Sequence, residues 1–368
     1  MFPATNTSLT AMRCVGCGTD HPVGDYTLGC PQCRARGSGA NLYCRYDGVT
    51  PGCVPLPVTD AISLGEGGTP LFRPPARLVP AGMDVWFKDE SANPTGSHKD
   101  RFSWGAVGRA AAAGYRGVVA ASSGNAALSV AAYAAAYGLE CELAMTTGVA
   151  ATVVSSVRRM GARTRLFERA EERWEYTAGF AGSSEHLTVT NNVTPVVGCS
   201  PFGIDGFKPV AWEIWRDWQE LPDHVILPTS RGDLAFGVYL GMMEVAQYFG
   251  VPCPRIHLVE PFARLTAVRA GAGIHDTFAG SDGHAPSVGG DTTTAQAFEV
   301  LSRSRGEPVV VGPRSTGTAR DAVARCGLLY EPSSAVVLPA AAELRDRGVI
   351  SAGESTVLVM TSHAFKGL

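Results

Sequence analysis

Short apolar runs alternate with longer segments of helical periodicity along most of the chain. Seven runs predict β-strands, at Asp84–Lys88, Gly117–Ala121, Glu140–Met145, Arg163–Leu166, His224–Leu227, Arg255–Val259 and Thr356–Met360. Four segments predict helices, at Asp100–Ala113, Ala126–Tyr137, Val149–Met160 and Leu234–Phe249. Strands that alternate with helices favour an α/β fold with parallel sheets. Residues 267–294 are rich in Gly, Ser, Asp and Thr and are predicted to form loops.

The first 50 residues differ from the rest, because they are rich in Cys, Gly and Arg and lack long apolar periodicity. A proline-bearing connector, Thr50–Thr59, follows them. Two Cys-x2-Cys pairs lie in this segment: Cys14 with Cys17, and Cys30 with Cys33. Four thiolates complete a tetrahedral zinc shell and leave no open position, so the spacing predicts a structural zinc ribbon with its two knuckles across a β-hairpin. An empty site and a redox role are the alternatives.

The remaining six cysteines are scattered, and we expect each to be a small buried apolar side chain. They are Cys44, Cys53, Cys141, Cys199, Cys253 and Cys326. Clustered cysteines in a long chain indicate metal in a reducing compartment rather than a disulfide framework.

The composition excludes several classes of protein. Of 368 residues, 45% are hydrophobic and 18% are charged, which argues against disorder of the whole chain. A net charge of -3 gives no overall attraction to nucleic acid or to an anionic membrane. No apolar stretch is long enough for a membrane span or a signal peptide, so we expect a soluble cytoplasmic protein.

The most informative segment is Trp86–Arg101, which reads strand, loop, helix start. The turn Asn93–Gly96 precedes Ser97, a residue type that caps helices. Lys99 then falls in the first helical turn, where the positive end of the helix dipole disfavours the protonated amine. A neutral amine can attack an aldehyde and form a Schiff base. The alternative is a solvated surface lysine beside Asp100 and Arg101.

Two loops combine a strand end, hydroxyl side chains and a helix N-terminus. Ser122-Ser123-Gly124-Asn125 follows the strand Gly117–Ala121, and Thr229–Asp233 follows His224–Leu227. Backbone N–H groups at a helix N-terminus bind anions, so each loop is a candidate phosphate or carboxylate site, with an ordinary βα loop as the alternative. Two anion loops and one reactive lysine suit pyridoxal 5'-phosphate.

These motifs resemble the threonine synthase branch of the fold-type II, or tryptophan synthase β-like, pyridoxal-phosphate enzymes. The segments are NPTGSHKDR at 93–101, SSGN at 122–125, GEGGTPL at 65–71, DGFK at 205–208, EPSSA at 331–335 and VLVMTSH at 357–363. They follow one another in the family's order over residues 60–368.

The resemblance implies a role for each matching residue. Lys99 would form the internal aldimine, and Asn125 would hydrogen-bond the phenolic oxygen of the cofactor. Residues Thr229, Ser230, Arg231, Gly232 and Asp233 would hold its phosphate, and Thr361 would face its pyridine nitrogen. Thr95, Ser122 and Ser123 would hold the substrate carboxylate, and we expect Lys208 near the distal end of the substrate. Arg231 could pair with the phosphate or turn away toward Asp233, and we favour the second because the helix N-terminus already binds an anion.

The implied fold is two three-layer α/β/α lobes with an N-terminal zinc ribbon and the cofactor in the cleft between the lobes. Residues 1–50 would form the ribbon, 51–100 with 206–368 the large cofactor-binding lobe, and 101–205 a small mobile lobe. The family also implies a homodimer, with no nucleic-acid or membrane partner.

The implied activity is that of a lyase acting on an amino acid with a leaving group at Cβ or Cγ, such as threonine synthesis from O-phosphohomoserine. Two departures bear on the substrate. The phosphate loop reads Thr-Ser-Arg-Gly-Asp where the family is usually Gly-rich, and His98 stands where threonine synthases usually have Phe. β-Elimination or β-replacement on a serine-, phosphoserine- or threonine-like substrate is therefore an alternative. A non-catalytic binding protein that retains the fold is a third.

Overall fold

The computed structural model of the chain describes residues 3–48 and 54–367. Thr50, part of the predicted connector, and Cys53 lie outside the described residues. The chain divides into two compact units. Unit 1 comprises Met1–Glu66, Lys99–Lys208 and Thr294–Gln296, and unit 2 comprises Gly67–His98, Pro209–Thr293 and Ala297–Leu368. The lobe boundaries given above stay a prediction.

Unit 1 contains a short antiparallel pair, a three-stranded antiparallel sheet and a parallel sheet. Its strands are β1 (Ala4–Thr5), β2 (Leu9–Cys14), β3 (Asp20–His21), β4 (Leu42–Tyr46), β5 (Val58–Thr59), β8 (Gly117–Ala121), β9 (Glu140–Thr146), β10 (Arg163–Phe167) and β11 (His186–Thr188). Its helices are α1 (Pro31–Ala35), α2 (Lys99–Ala112), α3 (Asn125–Tyr137), α4 (Ala151–Arg159), α5 (Ala170–Ala178) and α6 (Pro201–Asp205). The parallel sheet has the order β10-β9-β8-β11.

The N-terminal module is built on the antiparallel sheet β3-β2-β4. Its small core contains Leu9, Met12 and Leu42 with the thiols of Cys14, Cys30 and Cys33, and Phe202 of α6 packs into the same cluster. A bidentate ion pair from Arg109 of α2 to Asp25, with both N–O distances at 2.9 Å, fixes the module to unit 1. The module is therefore an integral part of this unit.

Unit 2 is built on a six-stranded sheet. Its strands are β6 (Leu71–Phe72), β7 (Asp84–Asp89), β12 (His224–Pro228), β13 (Arg255–Glu260), β14 (Pro308–Val310) and β15 (Ser355–Met360). Its helices are α7 (Pro209–Trp218), α8 (Asp233–Phe249), α9 (Leu265–Arg269), most of α10 (Ala295–Ser304), α11 (Pro313–Arg325), α12 (Pro332–Ala335) and α13 (Val337–Asp346). Short 3-10 helices occur at Ala76–Leu78, Glu90–Ala92, Pro286–Val288 and Ala364–Gly367.

The strand order of this sheet is β14-β13-β12-β15-β7-β6. All neighbours are parallel except the edge strand β6, which is antiparallel to β7. Because β12, β15 and β7 are adjacent and parallel, their carboxyl ends lie at one edge of the sheet. Ligands of open α/β sheets bind at this edge.

The seven strands and four helices predicted from the sequence are all confirmed to within two residues. The predicted loop at 267–294 is wrong at its start, where α9 continues to Arg269, and within it, where Pro286–Val288 forms a 3-10 turn. The predicted β-hairpin that carries both cysteine knuckles is wrong for the second knuckle, which lies at the start of a helix. Cys30 precedes α1 and Cys33 lies in it, because Pro31 at the first helical position favours a helix start.

Burial of the scattered cysteines is confirmed for Cys44 and Cys141 only, since Cys199, Cys253 and Cys326 are half-buried. Burial raises the pKa of Cys141 to about 12.

Within residues 3–48 and 54–367, no helix combines the length and the apolar character that a membrane crossing requires.

Candidate active site

The turn that precedes Lys99 is fixed by the side chain of Asn93. Its amide nitrogen donates to the Glu90 carbonyl at 2.7 Å and to the Glu90 carboxylate at 2.9 Å. Its amide oxygen accepts from the backbone N–H of Gly67 at 2.9 Å. Gly96 closes the turn with a φ of 79°, a conformation that favours glycine. The turn therefore has one defined shape, and Thr95 lies half-buried within it.

Lys99 is the first residue of α2 and is half-buried. Its Nζ lies 5.8 Å from the centre of the Phe102 ring. The preceding residue, His98, donates its backbone N–H to the Thr361 carbonyl at 2.9 Å. The hydroxyl of Thr361 lies 2.8 Å from that of Ser334. The end of β15 thus holds the residue immediately before Lys99.

The first of the two predicted anion loops, Ser122-Ser123-Gly124-Asn125, follows β8 in unit 1. The Ser122 N–H donates to the Ala144 carbonyl at 3.0 Å. The Ser123 hydroxyl accepts from the Thr146 N–H at 2.8 Å and from Arg173 at 3.2 Å. Asn125 is the first residue of α3 and is 8% exposed. The structure therefore places Ser122, Ser123 and Asn125 together at the carboxyl end of β8.

The second predicted anion loop, Thr229–Asp233, connects β12 to α8 in unit 2. Thr229 donates its N–H to the Val259 carbonyl at 2.8 Å, and the Ser230 hydroxyl donates to the Gly289 carbonyl at 2.7 Å. Gly232 precedes the helix with a φ of 78°. α8 then runs for 17 residues, so its N-terminal N–H groups and dipole favour an anion at this loop.

One buried arginine holds this loop against residues 288–290. The Arg264 guanidinium donates to the carbonyls of Thr229, Val288, Gly289 and Gly290 at 2.7–3.3 Å. It lies 3.7 Å from the Glu260 carboxylate. Burial lowers the pKa of Arg264, Glu260 opposes that shift, and the nearby positive charge of Arg231 adds to it. The sequence analysis missed Arg264, because nothing in its sequence context distinguishes it from a surface arginine.

The predicted site residues of unit 2 follow three adjacent parallel strands. Thr229–Asp233 follows β12, Thr361 follows β15, and the turn containing Thr95 follows β7. The structure therefore brings these residues to one sheet edge. In unit 1 it places Ser122, Ser123 and Asn125 at another strand end, with Lys99 at a helix start.

Lys208 has different surroundings from those expected of a substrate-binding residue. It is 1% exposed, its Nζ lies 3.4 Å from the Asp205 carboxylate, and it lies 4.3 Å from the centre of the Tyr46 ring. The Tyr46 hydroxyl donates to the same carboxylate at 2.6 Å. These contacts explain how unit 1 accommodates a buried lysine, and its role in substrate binding stays a prediction.

The residues of the loop Thr229–Asp233 fit a bound phosphate. A Cβ at Gly232 would lie 2.5 Å from the Cβ of Ala297, so the backbone approaches its neighbour as closely as a glycine permits. The Thr229 hydroxyl is buried and has no hydrogen-bond partner among the described residues. A close backbone turn, a spare hydroxyl and a helix N-terminus are together suited to phosphate oxygens.

We expect Gly232→Ala to weaken binding of the cofactor phosphate at least tenfold, because the new methyl group would displace the loop from Ala297. Gly250→Ala is the matched control. Gly250 ends the same helix with a φ of 68°, so backbone strain is similar, but nothing lies within 4 Å of the added Cβ. Titration of the apoprotein with pyridoxal 5'-phosphate measures both variants. Equal weakening in both would contradict the expectation.

The four clustered cysteines form a possible metal site. Their Sγ atoms all lie within 4.8 Å of one another. A hydrogen bond with the Thr19 hydroxyl lowers the pKa of Cys17 to about 6, whereas burial raises the pKa of Cys14. His21, which the sequence analysis did not select, places its Nε2 3.4 Å from the Cys30 sulfur. Four sulfurs at this spacing fit the tetrahedral coordination that zinc prefers.

Comparison with known proteins agrees with this geometry. Residues 62–362 match the pyridoxal-phosphate dependent enzyme family. Threonine synthase of Bacillus sp. (strain ULM1) is 30% identical over 318 residues, which cover 84% of this chain and 87% of the relative. Threonine synthase of Methanocaldococcus jannaschii is 28% identical over 382 residues, which cover 96% and 92%.

Among solved structures, a pyridoxal 5'-phosphate-dependent aspartate racemase superposes with a TM-score of 0.67 at 20% identity. The match covers 80% of this chain and 90% of the racemase, and it shows a shared fold. The family match spans the strand ends and loops described above. The chain therefore belongs to the pyridoxal-phosphate dependent enzymes and is a threonine synthase-like member of that family.

Proposed function

We propose that the chain binds pyridoxal 5'-phosphate through Lys99 and Asn125, with Thr229–Asp233 at the phosphate and Thr361 at the pyridine nitrogen. The observation that carries the proposal is the sheet edge of unit 2, where β12, β15 and β7 end side by side. A phosphate-type loop, a buried threonine and the turn that leads to Lys99 follow these three strands. This matches the needs of a ligand with a phosphate group and an aldehyde.

The bound cofactor supplies an electron sink for negative charge that develops at the substrate Cα. Lys99 would provide the amine that holds the cofactor and the base that moves the Cα proton. Ser122, Ser123 and Thr95 would orient the substrate carboxylate. The hydrogen bond from His98 to Thr361 would fix the start of the helix that carries the lysine.

We propose O-phosphohomoserine as the substrate, with threonine and phosphate as products. The support is that the relatives that cover most of this chain are named threonine synthases. The alternative is β-elimination or β-replacement on a serine-, phosphoserine- or threonine-like substrate. It is favoured by the Thr-Ser-Arg-Gly-Asp loop and by His98, which both depart from the usual threonine synthase pattern.

A substrate panel separates these activities. The purified protein is incubated with O-phosphohomoserine, O-phosphoserine, serine or threonine, and phosphate, threonine, 2-oxo acid and ammonia are measured. Phosphate and threonine in equal amounts from O-phosphohomoserine would support the proposal. Ammonia and a 2-oxo acid from a hydroxyamino acid, with O-phosphohomoserine unchanged, would support the alternative. The Lys99→Ala variant is the blank for each assay.

We propose that Cys14, Cys17, Cys30 and Cys33 hold a structural zinc ion. Cys14→Ser should abolish stoichiometric zinc and destabilise unit 1, because the core of the N-terminal module includes three of these sulfurs. A metal ion present at about 1,000 times its dissociation constant stabilises the folded state by about 4 kcal/mol. We expect the free energy of unfolding to fall by an amount of this order in Cys14→Ser.

Elemental analysis and thermal unfolding of protein purified without chelator test this prediction. Cys141→Ser is the control, since Cys141 is buried on β9 of the same unit but lies outside the cluster. Full zinc content in Cys14→Ser, or none in the unmodified protein, would contradict the assignment.

We also propose a cytoplasmic homodimer without nucleic-acid or membrane partners. The net charge of -3 and the family resemblance support it. Light scattering coupled to gel filtration measures the oligomeric state, and a mass near 38.6 kDa would indicate a monomer instead.

A further inference from the structure

Three threonines in or near the Thr229–Asp233 loop have buried hydroxyls without a hydrogen-bond partner among the described residues: Thr229, Thr293 and the half-buried Thr292. Thr229 is 3% exposed and Thr293 is 2% exposed, and neither Oγ1 has a hydrogen-bond partner within residues 3–48 and 54–367. A buried hydroxyl without a partner is unfavourable, because it has lost its hydrogen bonds to water without replacing them. A ligand that accepts hydrogen bonds at this place would remove that cost.

The segment that carries Thr293 is held against the loop on both sides. Before it, Gly289 accepts a hydrogen bond from the Ser230 hydroxyl, and a Cβ at Gly290 would lie 3.1 Å from the Arg231 guanidinium. After it, Ala297 meets Gly232, where an added Cβ would lie 2.5 Å away. Gly289–Thr293 therefore forms a second wall beside the loop.

Three carbonyl groups of the two walls are already used. Arg264 donates to the carbonyls of Thr229, Gly289 and Gly290, which directs these acceptors toward its guanidinium. The Ser230 hydroxyl has committed its only proton to Gly289. The two walls also offer donors, namely the N–H groups at the start of α8 and the hydroxyls of Thr229, Thr292 and Thr293. N–H groups at a helix start together with unpartnered hydroxyls can bind an anion, and the nearby carboxylates of Asp282 and Asp291 interact with the Arg264 guanidinium.

We propose that Gly289–Thr293 is a second wall of the cofactor phosphate site and that Thr293 donates its hydroxyl hydrogen bond to the phosphate. This inference rests on the proposed use of pyridoxal 5'-phosphate. The loop has a single glycine, Gly232, so it exposes less backbone than a Gly-rich loop would. Side-chain hydroxyls from two walls replace the missing backbone donors.

Three single substitutions test the role of the hydroxyl. Thr293→Val removes it at nearly constant volume, and Thr293→Ser retains it. Thr356→Val is the matched control, because Thr356 of β15 is also fully buried with an unpartnered hydroxyl but lies toward the opposite end of that strand from Thr361. Each apoprotein is titrated with pyridoxal 5'-phosphate and, separately, with pyridoxal, which lacks the phosphate.

We expect Thr293→Val to weaken pyridoxal 5'-phosphate binding at least tenfold, which corresponds to about 1.4 kcal/mol, and to leave pyridoxal binding unchanged. Thr293→Ser should retain the affinity, and Thr356→Val should bind both ligands as the unmodified protein does. If Thr293→Val does not fold, Thr293→Ala, which also removes the hydroxyl, is titrated with the same pair of ligands and should show the same selective loss.

Several results would overturn the inference. One is unchanged pyridoxal 5'-phosphate affinity in Thr293→Val, which would mean that a buried water satisfies this hydroxyl. Another is equal weakening for pyridoxal and its phosphate, or equal weakening in Thr356→Val, which would indicate a general loss of stability. Failure of the unmodified protein to bind pyridoxal 5'-phosphate would instead overturn the proposed function itself.

Discussion

Replacing Lys99 with alanine is expected to lower turnover by at least three orders of magnitude. General acid–base catalysis alone contributes about 10²–10⁴-fold, and the covalent attachment of the cofactor would be lost as well. Cofactor affinity should fall less than turnover, because the loop Thr229–Asp233 and the start of α8 would still bind the phosphate. Steady-state rates and a titration with pyridoxal 5'-phosphate measure the two effects separately.

The structure leaves little competition for this role. The chain has four lysines. Lys88 donates to the Glu213 carboxylate at 2.6 Å, Lys208 lies against Asp205, and Lys366 donates to the Gly96 carbonyl at 3.0 Å. Lys99 alone begins a helix directly after the turn at the sheet edge.

Borohydride reduction of the cofactor-bound protein followed by peptide mapping identifies the attached lysine directly. We expect the label on Lys99 and its complete loss in Lys99→Ala. A label on Lys88, Lys208 or Lys366 in the unmodified protein would refute the assignment of the whole site.

The strands and helices around the site were predictable because their local patterns agree with their surroundings. β8 and β12 are runs of apolar residues that are buried on both faces, as in parallel sheets. The loops after them carry their own signals in Ser, Gly and Asn. The apolar runs and the residue types that follow them therefore predicted both the anion-type loops and the helices after these loops.

The second wall and its buried arginine were not predictable in this way. Residues 267–294 show only loop composition, and the carbonyls that Arg264 binds lie as many as 35 residues from it in sequence. Such contacts depend on how loops fold back, which has no local periodicity. The helix α7 was also missed, although three of its ten residues are tryptophans that pack on one side of it.

The Lys88–Glu213 pair is another contact that sequence spacing does not show. Lys88 lies on β7 and is 0% exposed, and its Nζ donates to the Glu213 carboxylate at 2.6 Å and to the Thr69 carbonyl at 2.7 Å. Glu213 of α7 also accepts from the Gly68 N–H at 2.9 Å. The pair thus joins residues 67–69, β7 and α7 within unit 2.

Lys88→Met is therefore expected to destabilise unit 2 by about 3–5 kcal/mol, because it leaves the Glu213 carboxylate buried without its cation. Urea unfolding followed by tryptophan fluorescence reports mainly on this unit, since it contains four of the six tryptophans, whereas Trp104 and Trp174 belong to unit 1. Lys88→Arg is an unsuitable replacement, because the larger guanidinium does not fit a site closed around an ammonium group.

The double variant Lys88→Met with Glu213→Leu separates the charge effect from packing. Removing both charges should recover at least half of the stability lost in Lys88→Met, because no unpaired ion remains buried. The Gly68 N–H and the Thr69 carbonyl would still lack partners in this double variant, so recovery should be incomplete. If the two single losses simply added in the double variant, the charges would be acting independently, and the pair would not be what holds residues 67–69 against β7.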